Sequence, residues 1–246
     1  MDYQNITYVV DRGVAVIKLS RPEKLNAYTP DMGEEVVHAY RRGVEQSDVR
    51  ALVLTGEGRG FCAGADRDFL QGKVANCGKR LGEEHFISGF AAEIASSPKL
   101  MIAAVNGVAS GVGATMTLPF DLRIASDQAR FDFPFVRLGV VPGFGSSYFL
   151  PRLIGAGSAD DVLLNSRCLS ADTAQKLGLV QQIVPAAQLL DTAIAMARSI
   201  SAAPGSIVSQ SKQLLRDSFG SSLVECMERE QQASREFTAY FSASSH

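Results

Sequence analysis

The sequence predicts an α/β fold of strand–turn–helix units that closes in a helical tail. Three observations carry that prediction. Two apolar runs, Leu52-Val53-Leu54-Thr55 and Met101-Ile102-Ala103-Ala104-Val105, each lead into a bare, small-residue turn. The turns, Phe61-Cys62-Ala63-Gly64-Ala65-Asp66 and Asn106-Gly107-Val108-Ala109-Ser110-Gly111-Val112-Gly113, then open helical patterns. From Ala187 onward the spacing is helical throughout. A turn without bulky side chains lets a ligand approach the backbone closely. It also leaves N–H groups unpaired at the start of the next helix, which favours negative charge. Two such turns facing one point make an oxyanion hole.

Taken in order, Ile6 to Val10 and Val14 to Leu19 are β-branched runs split by Asp11-Arg12-Gly13, a hairpin signal. Arg21 to Asn26 is a turn segment, and Thr29-Pro30 opens a helix with Thr29 as N-cap and Pro30 at the first position. Val49 to Thr55 reads as a strand and Gly56 to Gly60 as a flexible loop. Asp68 to Lys79 is polar and glycine-broken, a mobile or short-helical stretch. Glu83 to Ser96 has helical spacing through Phe86, Phe90 and Ile94. Met101 to Val105 is a buried strand, and Gly111 to Leu118 is an apolar helix closed by Pro119. Asp121 to Ala125 and Arg130 to Phe133 are short strands, and Ser146 to Ile154 and Ser158 to Leu164 are helices. Ser170 caps the next helix, Val180 to Val184 is a strand ended by Pro185, and Gln188 to Ser201, Gly205 to Asp217 and Leu223 to Phe241 are helices. The last carries Leu223, Met227, Phe237, Tyr240 and Phe241, an apolar face that must be buried against its own domain or another subunit.

Composition narrows the class. The chain has 246 residues, 46% hydrophobic and 20% charged, as expected for a soluble globular protein. A net charge of -2 makes no electrostatic case for nucleic acid or an anionic membrane surface. No apolar run approaches the roughly 20 residues of a membrane span, and the acidic, polar Met1 to Gln4 lacks the character of a signal peptide. Cys62, Cys77, Cys168 and Cys226 show no CxxC spacing and read as reduced thiols of a cytoplasmic protein.

Familiar catalytic constellations are missing. The histidines are His38, His85 and His246, and only His85 is placed to serve a Ser-His-Asp triad; there is no GxSxG elbow and no zinc-type cluster. Gly111-Val112-Gly113 and Gly143-Phe144-Gly145 begin a dinucleotide fingerprint, but Met116 and Tyr148 stand where the third glycine belongs.

An ordered series of motifs is more specific. It runs Arg21-Pro22-Glu23-Lys24-Leu25-Asn26-Ala27, Gly60-Phe61-Cys62-Ala63-Gly64-Ala65-Asp66, Ile102-Ala103-Ala104-Val105-Asn106-Gly107 and Phe120-Asp121. It continues with Leu138-Gly139-Val140-Val141-Pro142-Gly143, Leu150-Pro151-Arg152-Leu153-Ile154-Gly155 and Ala174 to Val180. Through this series the chain resembles the crotonase (enoyl-CoA hydratase/isomerase) superfamily from about Ile6 to Phe241. The resemblance implies a spiral of ββα units with a CoA-ester site over residues 1–186 and a C-terminal helical trimerisation region over 187–246. It implies a homotrimer or homohexamer acting on an acyl-CoA thioester, with coenzyme A as part of the substrate and no covalently bound cofactor. The thioester oxygen would sit between the N–H groups of Ala65 and Val112. Lys24, Leu25, Ala27, Ala63, Asp66, Leu70, Val108 and Gly111 would line the ligand's path. Lys212 matches a lysine near the ADP end, and it reads equally well as a solvated helix charge.

The acids of the pattern are absent. The two positions that carry hydratase glutamates hold Thr115 and Phe135, and the position of an isomerase-type acid holds Gly143. General acid–base help is worth about 10²–10⁴ per group, so efficient hydration is not expected. Asp68, Glu83, Glu84 or His85 could replace the base. Asp132 is near in sequence, but strand alternation sets it opposite Phe131, Phe133 and Phe135. A decarboxylation would need only the oxyanion hole, and a non-catalytic CoA-binding protein would need neither. The phenylalanines, with Phe144, fit an aromatic acyl pocket or ordinary core. The chain stops at Ser242-Ala243-Ser244-Ser245-His246, short of the basic ending through which such proteins reach a neighbour's CoA.

Overall fold

The computed structural model describes the backbone of residues 1–243 and the side chains through residue 237. The expectations placed on Tyr240, Phe241 and the Ser242–His246 ending lie outside the described side chains. The elements run β1 (Ile6–Asp11), β2 (Val14–Leu19), α1 (Pro30–Glu45), β3 (Ala51–Gly56), β4 (Gly60–Cys62), α2 (Arg67–Leu70), α3 (His85–Ser88) and α4 (Phe90–Ala95). Then come β5 (Leu100–Val105), β6 (Val108–Ser110), α5 (Val112–Thr115), β7 (Leu122–Ser126), β8 (Arg130–Asp132), α6 (Ser146–Ile154) and α7 (Ala156–Leu164). The chain continues through β9 (Cys168–Ser170), α8 (Ala171–Lys176), β10 (Gln182–Val184), α9 (Leu189–Ile200), α10 (Gly205–Asp217) and α11 (Leu223–Ala243).

The strands divide between two sheets. The larger has the order β1-β2-β3-β5-β7-β10, and the smaller β4-β6-β8-β9. Each pass of the chain therefore lays one strand in the large sheet and the next in the small one before turning into helix: β3 then β4, β5 then β6, β7 then β8. This is the ββα succession. Apart from the antiparallel β1–β2 hairpin, neighbours in the large sheet are parallel. A parallel sheet must be covered on both faces, and alternation along its strands supplies two cores. Ala15, Ile17, Leu52, Leu54, Met101 and Ala103 face α1 and the small sheet. Val14, Val16, Ala51, Val53, Ile102 and Ala104 face Leu189, Ala193 and Ala197 of α9.

Local signals account for several boundaries. Thr29 Oγ1 accepts the Met32 N–H at 3.1 Å, and Ser170 Oγ accepts that of Thr173 at 3.2 Å. Elsewhere the structure corrects the sequence reading. The Glu83–Ser96 segment is two short helices broken at Gly89, where the His85 ring occupies the space a Cβ would take. The apolar helix expected over Gly111–Leu118 is regular only across Val112–Thr115. Each apolar run does not pass directly into its turn: a three-residue strand, β4 or β6, intervenes. On α11, Leu223 and Met227 are 75% and 58% exposed, so this chain alone does not bury the expected face.

Candidate functional site

The small sheet positions the two turns. β4, β6 and β8 run parallel, so their carboxyl ends open on one edge. Ligands of open α/β sheets bind beyond such carboxyl ends. Past β4 the chain makes the turn Ala63-Gly64-Ala65. Past β6 it makes Gly111 and enters α5 at Val112.

The turns touch through their backbones. Gly64 has φ +100°, and a Cβ there would lie 3.1 Å from the Ser110 carbonyl oxygen. At Gly113 a Cβ would fall inside the van der Waals shell of the Cys62 carbonyl oxygen. Glycine answers a left-handed backbone at the first and a close approach at the second. Two N–H groups are left over. Tyr28 pairs with the first turn, its N–H donating to Gly64 O and its carbonyl accepting from Asp66 N–H, both at 2.8 Å. Gly111 N–H donates to Asp132 O at 3.0 Å. Among the described residues, the intervening Ala65 N–H and the following Val112 N–H donate to no protein acceptor. α5 is too short for a substantial macrodipole, so any anion here would be held by the individual N–H groups.

Arg21–Tyr28 is strapped onto the first turn. The buried Asn26 side chain donates to Glu57 O at 3.0 Å and Gly60 O at 2.8 Å, while Ala63 N–H donates to Leu25 O at 3.0 Å. Arg21 also donates to Ala27 O. Asp66, almost fully buried, accepts from Arg21 at 3.0 Å, Lys24 at 3.4 Å and the Asp68 N–H at 3.2 Å. Burial works to raise its carboxyl, but these donors outweigh it and hold Asp66 below the usual carboxylate range. Lys24, Leu25, Ala27, Ala63, Ala65 and Asp66 are thus gathered around one turn. Gly111 and Val112 stand opposite. Val108 is 37% exposed on the outer face of β6, and Leu70 is exposed on α2. The Cys62 thiol lies beneath the turn, where burial pushes it up to about 12.

Lys212 is not a solvated helix charge. It is 9% exposed, pairs with Asp121 at 2.7 Å and donates to Lys99 O. Burial lowers its pKa against the pull of Asp121. Its ammonium therefore ties α10 to the start of β5 and the approach to β7, away from both turns.

The three residues that stand where the resemblance expects acids have distinct surroundings. Thr115 is buried in α5. Phe135 and Phe144 belong to the core with Phe131 and Phe133, and Phe144 packs 4.9 Å from Phe86 between ring centroids. Gly143 faces open space. Asp68 pairs with Lys73, Glu83 accepts the Arg80 N–H, and His85 sits 2.6 Å from Glu93. Glu84 is completely buried, one oxygen taking the Tyr28 hydroxyl at 2.7 Å and the other the Gly82 N–H at 2.8 Å. Burial and this carboxylate push the Tyr28 hydroxyl well above its ordinary pKa.

Sequence reasoning missed Arg123. Fully buried on β7, it donates to the carbonyls of Thr117, Leu118, Phe120 and Leu179 at 2.6 to 3.3 Å. It thereby closes the chain that follows α5. Its visible signal was a lone cation in the apolar run Leu122-Arg123-Ile124-Ala125. A cleft of about 520 Å³ is lined by Gly157, Asp161, Arg167, Cys168 and Leu177 and by no residue of either turn. Among the described residues, no cluster of three or more His, Cys, Asp or Glu could hold a metal ion, and no helix is long and apolar enough to cross a membrane.

Comparisons with known proteins agree with this architecture. A family profile described as enoyl-CoA hydratase/isomerase matches residues 10–245. The 1,2-epoxyphenylacetyl-CoA isomerase of Escherichia coli is 36% identical over 197 residues, 79% of this chain and 75% of that protein. The short-chain-enoyl-CoA hydratase of Clostridium acetobutylicum is 35% identical over 219 residues, 87% of this chain and 82% of that protein. The crystal structure of an enoyl-CoA hydratase subunit I from Geobacillus kaustophilus superposes with a TM-score of 0.88 at 32% identity, covering 97% of this chain and 91% of the other.

Proposed function

The chain belongs to the enoyl-CoA hydratase/isomerase family, and on that premise we propose that it acts on an acyl-CoA thioester through an enolate rather than by efficient hydration. The carrying observation is the pair of unengaged N–H groups, Ala65 and Val112, on turns in mutual backbone contact. The thioester oxygen becomes more negative as the enolate forms. A pre-aimed backbone donor is typically worth roughly 3 kcal/mol, or about 10²–10³ in rate. Lys24, Leu25, Ala27, Ala63, Asp66, Leu70, Val108 and Gly111 form the path for the rest of the ligand. Similarity to named relatives does not choose the reaction, since an isomerase and a hydratase match almost equally well.

The side chains do favour one side. Hydration needs a positioned water and proton transfer in both directions, and Thr115, Phe135 and Gly143 supply no carboxylate. Decarboxylation requires none of those positions, and isomerisation would need a base from elsewhere because the isomerase-type position holds Gly143. The exposed Leu215, Phe219, Leu223, Val224 and Met227 support assembly of the C-terminal helices into a homotrimer or homohexamer.

Crotonyl-CoA hydration by the purified protein is expected to be slower by about 10² or more than in a relative carrying both carboxylates. Robust hydration would sink this reading. Thr115→Glu combined with Phe135→Glu is expected to raise hydration by about 10². No gain in a protein that still folds would mean the site is shaped for another acyl group.

A further inference from the structure

We propose that Tyr28 is a positioning residue for the Ala65 N–H, held to that task by the bond from its hydroxyl to Glu84. The proposal rests on the acyl-CoA reading above and deepens it by naming what aims one of the two donors. Gly64 C=O and Ala65 N–H belong to one planar trans peptide and point in opposite directions. Tyr28 N–H donates to that Gly64 oxygen at 2.8 Å, which turns the Ala65 N–H away from the strap. Tyr28 O accepts the Asp66 N–H, also at 2.8 Å, and fixes the peptide on the other side of Ala65. Together the two bonds make a parallel bridge between Tyr28 and Ala65. The glycine contacts between the turns set their spacing. The bridge sets the direction in which Ala65 donates.

The Tyr28 side chain is seated in a way that its backbone role alone does not require. It is fully buried, with its ring 4.8 Å from that of Phe86 between centroids. Its hydroxyl donates to Glu84 Oε1 at 2.7 Å, and the Gly82 N–H occupies Glu84 Oε2 at 2.8 Å. Burying a carboxylate is unfavourable unless hydrogen bonds compensate it. Room for the hydroxyl comes from Gly33 in α1, where a Cβ would overlap it and crowd Phe86 at 2.9 Å. No positive φ calls for glycine at that position, and glycine inside a helix is less favourable than alanine. A buried acid and a helical glycine, each unfavourable by itself, converge on one hydroxyl.

The same bond ties the first turn to the chain that follows it. Asp66 N–H meets the Tyr28 carbonyl and Glu84 meets the Tyr28 hydroxyl, so both ends of segment 67–83 close on one residue. Between those ends, Asp31 of α1 accepts the Asn76 and Cys77 N–H groups at 3.1 and 2.7 Å, and Lys79 pairs with Glu34 at 2.7 Å. Without its hydroxyl, residue 28 keeps the bridge and loses the one polar anchor of its side chain. Tyr28 and Glu84 are both closed to solvent, and burial together with Glu84 holds the hydroxyl well above its ordinary pKa. The pair therefore acts through Ala65 and exchanges no proton with a ligand.

The test uses the full chain with hexanoyl-CoA, a saturated ester. Calorimetry measures its binding, and isotope-edited infrared spectroscopy follows the stretch of the bound thioester carbonyl. Wild type is expected to bind and to move the stretch to lower frequency. Tyr28→Phe should bind within about threefold of wild type, because the rest of the ligand is held as before. It should lose about half of the shift, the share of one donor in two. Tyr28→Phe leaves the Glu84 carboxylate buried without that partner, so it is paired with the double variant Tyr28→Phe/Glu84→Met. Removing both partners is far milder for folding, and the double variant should lose the shift equally. Glu84→Gln keeps an oxygen for the hydroxyl and should keep the wild-type shift. A wild-type shift in Tyr28→Phe or the double variant overturns the proposal, as does a loss in Glu84→Gln equal to that in Tyr28→Phe. In either case the two-donor reading stands. Binding by wild type with no shift of the carbonyl overturns that reading and the proposal with it, and leaves a CoA-ester site. Absence of binding by folded wild type removes all three.

Discussion

Gly113→Ala is expected to remove most turnover of any CoA thioester, by about 10² or more, and to destabilise the fold by about 1–3 kcal/mol. A single added methyl would occupy space held by the Cys62 carbonyl oxygen. That oxygen is backbone and cannot swing aside, so α5 must retreat from the first turn. Overpacking of this kind costs about 1–3 kcal/mol. The larger effect is on function, because retreat carries the Val112 N–H out of line, and one misplaced donor costs about 10²–10³. Steady-state kinetics and urea unfolding read the two losses separately. Gly157→Ala in α7 is the matched control. A Cβ at Gly157 meets nothing within 4 Å, so stability should be unchanged or rise by up to about 1 kcal/mol. Equal behaviour of the two variants would show that the close approach does not matter.

Arg123→Met is expected to destabilise the protein by about 3–5 kcal/mol, the scale of breaking a buried charged network. The guanidinium binds four carbonyls at once. Burial lowers its pKa to about 10, with Asp121 acting in the other direction, so it remains charged at neutral pH. The methionine fills comparable volume and leaves the carbonyl oxygens of Thr117, Leu118, Phe120 and Leu179 without their donor. Arg123→Lys should recover only part of the loss, since an ammonium cannot reproduce the planar fork. Urea midpoints for the two variants decide this. A lysine variant as stable as wild type would mean that charge alone suffices.

The parts of the fold that were legible are those whose cause is local. The β1–β2 hairpin, the Thr29-Pro30 helix start, the Ser170 cap and the buried strand at Met101–Val105 each follow from neighbours within a few residues. β4 and β6 escaped because they are masked by the small residues that make the turns, and β9 because it runs straight into the Ser170 cap. Lys212 misled for a different reason. Its burial depends on Asp121 and on Lys99 O, 113 positions away in the chain. The two turns were visible as glycine patterns, but the straps on them were not. Asn26, Arg21 and Asp66 act across distances of 31 to 45 positions. Asp132 was assigned the correct face by alternation, yet only pairing with Ser110 shows what that face contains.

The contact between the turns sets a gauge. Gly64 is spaced from Ser110, and Gly113 from Cys62, by main chain against main chain. The interval between the Ala65 and Val112 nitrogens is therefore set by peptide dimensions, which substitutions away from the two glycines leave alone. The side chains at positions 115, 135 and 143 take no part in that main-chain contact, so exchanging them should not reset it. On the proposed reading, the molecule would separate a permanent fitting for the thioester from an interchangeable tool for the proton. A retooled reaction should then need changes only in the second set, with ligand affinity at the thioester end carried over intact.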